Sequence, residues 1–405
     1  MDPTQNGVPP QSNVTQVFAG LSDSEVEVLS QADRFARAEL YPLARRMDDE
    51  EWWPDGLFEL FGRNGYLGIT ATPELGGSGA DIFTSGLVLQ AFSRWNHAAA
   101  MSWLAHENLC LHNLLRNASQ AQIDRYGPAL CSGKAVGALG MTEPGAGSDA
   151  MGSMHTTAQR DGDRYRLNGT KLYITNGPIA NVMLVYARTD RERGSHGISA
   201  FIVEPDFPGF RVAQKLTKMG FRGSPTGELV FEDCLVPVAN RVGEENAGVK
   251  ILMSGLDIER AMVSPMCLGI AERAFELALA HARTRVQFGK TIASFQMVQD
   301  KLAQMYVRLE SMRVFNYQTL RAIDAIGHHG DAGRGEIHKL SAASVMFTSQ
   351  MLAAILDDAV QIHGGAGYIW ESEINRLFRS IKLLEIAAGT TEVRKLIIAG
   401  ELVKG

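Results

Sequence analysis

Cysteine is scarce in this sequence of 405 residues, and the four cysteines are far apart, with no Cys-X-X-Cys pair. This spacing indicates neither a zinc site nor a disulfide framework, so no metal is expected. The thiols of Cys110, Cys131, Cys234 and Cys267 are expected to be reduced and buried. No run of about 18 apolar residues stands out, so no membrane-spanning helix is expected. The net charge of −6 gives no reason to propose nucleic acid as a partner.

The amino terminus also lacks the features of a targeting segment. Residues 1–20 contain neither the hydrophobic core of a secretion signal nor the arginines of a transit peptide. We expect these residues to form a disordered lead, and we expect the protein to be cytoplasmic. The composition, with 45% apolar and 21% charged residues, is typical of a soluble globular protein, and the length predicts two or three domains.

The spacing of apolar residues divides the rest of the chain into three parts. Residues 21–135 have a helical period that begins with a capping box at Ser22 and Glu25. Residues 136–247 contain β-rich runs, and Asn168-Gly169 inside an alternating stretch predicts a hairpin turn. Residues 248–405 return to a helical period. The predicted fold is therefore α+β, with an N-terminal α-helical domain, a middle antiparallel β-barrel or sandwich domain and a C-terminal helical bundle.

Two glycine- or turn-containing motifs lie in the predicted β domain and at its start. Residues 141–149 (MTEPGAGSD) contain two glycines, which let backbone N–H groups approach an anion or a carbonyl. Residues 173–177 (YITNG) end a predicted strand with an aromatic ring, a hydroxyl and a turn, which suits a planar ligand. The first motif is also typical of a tight turn between domains, and the second is a weak signal on its own.

Three further motifs follow in the C-terminal part. Residues 285–290 (RVQFGK) and 361–368 (QIHGGAGY) place a positive or polar group beside a glycine turn, which suits a pyrophosphate. Ordinary helix ends have the same composition. Residues 386–392 (IAAGTTE) form a loop of small residues in which Thr390 or Thr391 is expected to cap the last helix.

The helical stretch 248–283 carries two acids, Asp257 and Glu259, within an apolar run. Two residues apart on a helix, their side chains point about 200° apart, so they cannot face one site as a pair. A carboxylate held against apolar walls has a raised proton affinity, which suits a general base. The ordinary alternative is that both acids face solvent or form ion pairs on the helix surface.

Together and in this order, the motifs resemble those of the acyl-CoA dehydrogenase family, from about residue 21 to residue 402. The resemblance implies an N-terminal α domain, a middle β barrel and a C-terminal four-helix bundle, assembled as a homotetramer of two dimers. It also implies an FAD cofactor, an acyl-CoA substrate and an electron-transferring flavoprotein as the electron acceptor.

The same resemblance assigns residues to the site. FAD is expected between the barrel and the bundle, with its ADP half at the dimer interface. The expected FAD-binding residues are Leu139, Met141, Thr142, Gly147, Ser148, Tyr173, Ile174, Thr175, Arg285, Phe288, Gln296, Gln361, Ile362, His363, Gly364, Gly365, Thr390, Thr391 and Glu392. The expected acyl-CoA-binding residues are Ser148, Asp257, Ile258, Arg260, Ala388 and Gly389.

The position of the catalytic base selects a branch of the family. Most short- and medium-chain members carry it immediately before the Gly-Thr of the final loop, where this chain has Ala388. The isovaleryl-CoA dehydrogenase branch places it on the first bundle helix, in a Leu-Asp-Leu-Glu-Arg context that residues 256–260 (LDIER) match with one change. The resemblance thus implies that Glu259 takes the α-proton, that flavin N5 accepts the β-hydride, and that the Ala388 N–H binds the thioester oxygen.

A few positions depart from the isovaleryl enzymes near the expected acyl end. Leu384 and Ala387 stand in place of Tyr and Gly, and Trp103-Leu104 stands in place of Tyr-Gly. Loss of the Tyr would deepen the acyl pocket and Leu104 would close it, so the chain length stays open. Tyr173 replaces the usual Trp, and flavin packing is expected to survive this change.

The first expectation is an FAD-dependent dehydrogenase for a short or branched acyl-CoA, with isovaleryl-CoA as the first guess. The alternatives are a longer branched acyl-CoA such as citronellyl-CoA, an acyl group on a carrier protein, an acyl-CoA oxidase, and a flavin-binding scaffold without turnover. A chain-length series, peroxide production and FAD uptake distinguish these possibilities.

Overall fold

A computed structural model describes residues 20–326 and 334–404 of the protein. The predicted disordered lead, apart from Gly20, lies outside the described residues. Within them, helices are followed by a sheet and then by helices, so the predicted α+β fold class is confirmed.

The N-terminal part is helical, as its apolar period predicted. Ser22 caps the first helix, because its hydroxyl accepts the N–H of Glu25 and the Glu25 carboxylate accepts the N–H of Ser22. The longest helix of this part bends at Asn96, where φ is −150° and ψ is 86°. The α-helices are α1 (Asp23–Phe35), α2 (Tyr41–Glu50), α3 (Leu57–Arg63), α4 (Ile82–Leu104), α5 (Asn113–Asn117) and α6 (Gln120–Cys131), and a π-helical segment (Ala105–His112) follows α4.

The middle part is a sheet of eight strands. They are β1 (Gly137–Gly140), β2 (Thr157–Asp161), β3 (Arg164–Thr175), β4 (Val182–Arg188), β5 (Ile198–Val203), β6 (Phe210–Lys215), β7 (Thr226–Pro237) and β8 (Arg241–Val242). Their order is β6-β7-β3-β2-β4-β5-β8, with β1 beside β4. The sheet is mixed rather than purely antiparallel, because β1 and β2 pair with β4 in parallel. The inward-facing side chains of this sheet form their own apolar core.

The predicted hairpin turn at Asn168-Gly169 was wrong, because β3 runs straight through both residues. The turn lies earlier, between Asp161 and Arg164, which pair across β2 and β3. Asn168 instead stabilises a bulge in β7. Its amide nitrogen donates to Asp233 Oδ1 at 3.1 Å, and its amide oxygen accepts the Asp233 N–H at 2.8 Å. Gly169 is required there because a Cβ would lie 2.4 Å from Thr156 Oγ1.

The C-terminal part is a helical bundle. Its helices are α7 (Gly248–Thr284), α8 (Gln296–Ile326), α9 (Arg334–His363), α10 (Gly365–Tyr368), α11 (Glu373–Ile386) and α12 (Thr391–Leu402), and a short hairpin of β9 (Val286–Gln287) and β10 (Lys290–Thr291) separates α7 from α8. Helix α7 packs against α8 and α9 of the bundle and against α4 of the N-terminal part. One apolar core therefore spans both helical parts. Residue 259 lies on the helix at their junction.

The expectation that no helix spans a membrane stays a prediction. Among the described residues, one helix (Gly335–His363) contains a window with a mean hydropathy of 1.3, which is apolar enough for a membrane span. Half of that window is buried within the protein. This is weak evidence for a span, because core helices meet the same criterion.

The cysteines are all buried and free, as predicted. Within residues 20–326 and 334–404, the His, Cys, Asp and Glu side chains form no group of three that is placed to hold a metal ion.

Candidate active site

Glu259 lies on α7 between buried neighbours. Ile258 is 4% exposed and Arg260 is 5% exposed, whereas Glu259 keeps a partly exposed surface. Burial of its carboxyl raises the pKa of Glu259 from 4.5 to about 7, against the opposing positive charges of Arg260 and Arg394. A carboxylate with a pKa near neutrality is suited to accept a proton at physiological pH.

A second acid, Glu107, provides a comparison. Its pKa is also raised to about 7, chiefly by burial. However, its two oxygens accept the backbone N–H groups of Gly68 at 2.9 Å and Ile69 at 2.6 Å, and the residue is 1% exposed. Both oxygens are therefore committed to holding the turn after α3. No hydrogen bond to Glu259 occurs within the described residues, so Glu259 is the acid that is open to a substrate.

The loop between α11 and α12 is held by two arginines. Arg394, fully buried, donates from Nη2 to the carbonyls of Leu384 at 2.9 Å and Ala387 at 2.5 Å. Arg260 donates from Nε to the carbonyl of Ala388 at 3.1 Å. These contacts fix successive carbonyls of the loop, and Ala388 adopts a left-handed backbone with φ of 57°. A non-glycine residue in this conformation is typical of a functional site.

This arrangement determines the direction of one backbone donor. The Ala388 N–H belongs to the same planar trans peptide as the Ala387 carbonyl, so it points away from Arg394. Within the part of the chain that the structure describes, this N–H donates no hydrogen bond. An oriented and unused N–H group is the kind of donor that stabilises an oxyanion.

Asp257 lies among other partners. It is 4% exposed, and its Oδ1 accepts from Arg260 Nη1 at 3.2 Å and from His338 Nδ1 at 2.5 Å. Glu259 is bonded to neither of these groups. The Asp257 carboxylate is already hydrogen-bonded to Arg260 and His338. Any contact of this carboxylate with acyl-CoA must therefore be made in addition to these two hydrogen bonds.

A buried ion pair holds the glycine-containing motif against the sheet. Glu143 accepts from Lys171 Nζ at 2.8 Å and from the N–H groups of His155 and Thr156 at 2.6 and 3.0 Å. Lys171 Nζ also donates to the Met141 carbonyl at 3.0 Å. Both charged residues are almost completely buried, at 4% and 0% exposure. The pair therefore attaches the motif directly to β3, two residues before Tyr173.

The predicted flavin-binding residues of the motif and of β3 differ in their exposure. The Leu172 N–H donates to the Thr142 carbonyl at 2.8 Å, which joins the motif to β3 a second time. Tyr173 is 63% exposed and has φ of 63°, so its ring lies on the surface beside the motif. Gly147 and Ser148 are exposed in the same motif, whereas Leu139, Met141, Thr142 and Thr175 are half-buried. Ile174 is 3% exposed, and its side chain lies in the core of the sheet.

The end of α7 and the end of α9 enclose a cavity of about 430 Å³. Five predicted FAD-binding residues line it, namely Arg285, Ile362, His363, Gly364 and Gly365. Phe288, Gln296 and Gln361 are exposed and do not line it. The described lining residues include Arg285 but no carboxylate, so the cavity is suited to an anion.

The start of α12 matches its predicted cap. The Thr390 hydroxyl accepts the N–H of Val393 at 3.4 Å, and the Thr391 hydroxyl donates to the Glu385 carbonyl at 3.3 Å. Glu392 is exposed, and Gly389 has φ of 90°. The loop therefore presents Ala388 and Gly389 directly before a capped helix.

Comparison with known sequences identifies this architecture. Domain models of acyl-CoA dehydrogenases match residues 22–134 (N-terminal domain), 138–234 (middle domain) and 246–403 (C-terminal domain). The chain belongs to the acyl-CoA dehydrogenase family. It is similar to a mitochondrial isovaleryl-CoA dehydrogenase of Pongo abelii, with 41% identity over 389 residues that cover 95% of this chain and 90% of that protein.

Solved structures agree with this assignment. The butyryl-CoA dehydrogenase of Megasphaera elsdenii aligns with a TM-score of 0.89 and 34% identity over 95% of this chain and 99% of that chain. PigA with FAD and proline aligns with a TM-score of 0.89 and 31% identity over 94% and 98% of the two chains.

FAD is the cofactor of this acyl-CoA dehydrogenase, and its residues fit the group. Gly364 and Gly365 leave open space where a side chain would stand, so an anionic ligand can approach the backbone beside Arg285. The exposed ring of Tyr173 offers an aromatic surface at the other predicted end of the cofactor.

The sequence did not reveal two structural supports of the site, Lys171 and Arg394. A cation at an inward-facing position of a strand was a signal for Lys171, because such a charge needs a buried partner. Arg394 had no comparable signal, because its contacts with the Leu384 and Ala387 carbonyls depend on how α12 is placed beside the loop.

Proposed function

We propose that this acyl-CoA dehydrogenase forms the α,β-double bond of a short or branched acyl-CoA. Isovaleryl-CoA is the proposed substrate, and Glu259 is the proposed base. The observation that supports this proposal most is the state of Glu259, whose pKa is raised to about 7 and whose carboxylate makes no hydrogen bond among the described residues. The loop position that carries the base in most short- and medium-chain members is Ala388, which has no acid.

The proposed mechanism uses the two features described above. The Ala388 N–H donates to the thioester oxygen and stabilises the negative charge that develops there as the α-C–H bond breaks. Glu259 accepts the α-proton, and burial of its carboxyl favours the neutral acid that results. FAD, when bound, supplies the hydride acceptor for the β-carbon. Arg260 and Arg394 keep the Ala388 peptide in place during these steps.

The choice of a short or branched acyl chain is supported by the residues expected at its far end. Trp103, Leu104 and Leu384 are bulky and only 0%, 2% and 0% exposed, and all three belong to the main apolar core. The Trp103 indole donates to the Tyr66 carbonyl at 2.6 Å, which fixes the ring. Side chains packed in this way oppose extension of the pocket for a long chain.

A chain-length series tests the substrate. The yellow holoenzyme is mixed anaerobically with butyryl-, isovaleryl-, octanoyl- and citronellyl-CoA, and the loss of flavin absorbance is followed. We expect isovaleryl-CoA to give the highest kcat/KM for bleaching, and octanoyl-CoA to fall by at least about tenfold, because a few misplaced methylenes cost one to a few kcal/mol. A preference for octanoyl- or citronellyl-CoA would contradict the proposal. Rapid peroxide formation in air would indicate an oxidase.

We also propose a homotetramer that passes electrons to an electron-transferring flavoprotein. Several large apolar side chains of the bundle are exposed in the single chain, including Met297 at 82%, Tyr306 at 55% and Leu396 at 73%. Such a surface is typical of a subunit interface. Light scattering should therefore give four times the chain mass of 44.1 kDa, and a monomer at micromolar concentration would contradict the tetramer. The cytoplasmic location stays a prediction.

A further inference from the structure

Two histidines stack beside the predicted site of the ADP half. His281 lies near the end of α7, and His363 is the last residue of α9. Their ring centroids are 4.5 Å apart with an angle of 25° between the planes. Both rings line the cavity of about 430 Å³ that also contains Arg285, Gly364 and Gly365.

The surroundings of the two rings favour their neutral forms. Burial lowers the pKa of His281, and the charges of His363 and Arg285 lower it further. Burial also lowers the pKa of His363, against the effect of its hydrogen bond to Ala359. None of the described residues that line the cavity is a carboxylate. A proton on either ring therefore has no negative partner among the lining residues, unless a ligand provides one.

The proton positions of one ring are determined by geometry. The Nδ1 atom of His363 lies 2.7 Å from the Ala359 carbonyl, which can only accept, so Nδ1 carries a proton. The Nε2 atom of the neutral ring is then an acceptor. It can donate to an anionic oxygen only after it takes up a second proton.

We propose that His281 and His363 bind the diphosphate of FAD as a protonated pair, so that FAD binding is coupled to proton uptake. The proposal rests on the proposed placement of the ADP half at Arg285 and the Gly364-Gly365 turn. A diphosphate next to the rings offsets their mutual repulsion and the repulsion from Arg285. His281 is thereby assigned as an FAD-binding residue in addition to those that the motifs indicate.

The sign of the pH dependence follows from linkage. The anion raises the pKa of the pair in the bound state above its value in the free state. FAD affinity therefore rises as the pH falls through the bound-state pKa, and it levels off below the free-state pKa. Each proton taken up contributes at most about a tenfold change in the dissociation constant per pH unit.

Dilution of the full-length holoenzyme tests the proposal. Flavin fluorescence measures FAD release between about pH 6 and pH 8, the range in which histidines titrate. The wild-type dissociation constant is expected to be severalfold smaller at the lower pH. The double variant His281→Phe/His363→Phe keeps two stacked rings but cannot take up the proton. Its dissociation constant should be independent of pH over the same range.

Two further variants separate the possible failures. Arg285→Gln is expected to weaken FAD binding at every pH. The pH dependence should remain but lie at higher pH, because the charge of Arg285 lowers the pKa of His281. An unchanged affinity would refute the placement of the diphosphate. If Arg285→Gln weakens binding but the double histidine variant keeps the wild-type pH dependence, the histidine proposal alone is wrong.

The single variant His281→Phe should lose part of the pH dependence. Far-UV circular dichroism confirms that each variant is folded, and acyl-CoA specificity is measured independently at a saturating FAD concentration.

Discussion

Replacement of Glu259 by Gln should lower kcat for isovaleryl-CoA by at least about 10³-fold, because the variant keeps the shape of the side chain and loses the proton acceptor. FAD should remain bound, since no predicted cofactor contact involves this side chain. Steady-state reduction of an artificial electron acceptor measures the loss, and the flavin spectrum of the purified variant measures retention of the cofactor.

The wild-type pH profile belongs to the same prediction. A base must be ionised in the free enzyme, so kcat/KM should rise with pH and level off above an apparent pKa of about 7. The residual activity of Glu259→Gln should not show this rise with pH. If the wild-type kcat/KM instead levelled off above an apparent pKa near the usual value of 4.5, the carboxyl would not be withdrawn from water as the structure indicates.

Glu107 provides the matched control for this experiment. It is another buried acid with a pKa of about 7, but its oxygens hold the N–H groups of Gly68 and Ile69. Glu107→Gln should therefore destabilise the fold, because the amide group of the new side chain meets the N–H group of Gly68 or Ile69. Its kcat should stay within about threefold of the wild-type value. Equal losses of kcat in both variants would show that the effect is one of folding and not of proton transfer.

Replacement of Lys171 by Met should lower the free energy of unfolding by about 3–5 kcal/mol at neutral pH, because it leaves the Glu143 carboxylate buried without a counter-charge. The Met141 carbonyl also loses its donor. Since Met141 belongs to the predicted flavin site, FAD should dissociate more readily from Lys171→Met than from the wild type. Urea unfolding measures the stability, and flavin fluorescence measures FAD release.

A double variant tests the cause of this loss. Burial raises the pKa of Glu143, and the charge and hydrogen bond of Lys171 more than offset this, so the pKa lies below 4.5. The wild-type pair therefore stabilises the fold above pH 4.5, and this contribution is lost as the pH falls through the lower folded-state pKa. In Lys171→Met the unpaired acid takes up a proton more easily, so the stability deficit should shrink as the pH falls.

Lys171→Met/Glu143→Gln removes both charges and should recover part of the lost stability at neutral pH. The recovery is partial because the amide group introduced at position 143 meets the N–H group of His155 or Thr156. A double variant that is less stable than Lys171→Met alone would contradict the assignment of the loss to an unpaired carboxylate. It would instead indicate that the Glu143 hydrogen bonds to His155 and Thr156 are the larger contribution.

The three-part fold was predictable because apolar spacing changes period where the chain changes from helices to sheet and back. The capping box at Ser22 and the cap at Thr390 were predictable for a different reason, because each depends on residues only three positions apart. The hairpin prediction at Asn168 failed because a distant residue, Asp233, supplies partners for that side chain. Local turn chemistry was overridden by a contact between strands that the sequence does not reveal.

The site was predictable to a different extent. Motifs predicted roles for Glu259, the loop at Ala388 and Arg285, and the structure brings Arg285 and residues 362–365 together around one cavity. The sequence could not show that Arg394 and Arg260 hold the carbonyls of Ala387 and Ala388, because these contacts depend on how α7 and α12 are placed beside the loop. The direction of the Ala388 N–H follows only from that placement.

Anaerobic mixing of isovaleryl-CoA with the wild type and with Glu259→Gln tests the central claim most directly. The account predicts that wild-type flavin bleaches within the time of one turnover, and that the flavin of Glu259→Gln stays oxidised although the variant binds the same acyl-CoA. Bleaching of Glu259→Gln at the wild-type rate would show that another group removes the α-proton.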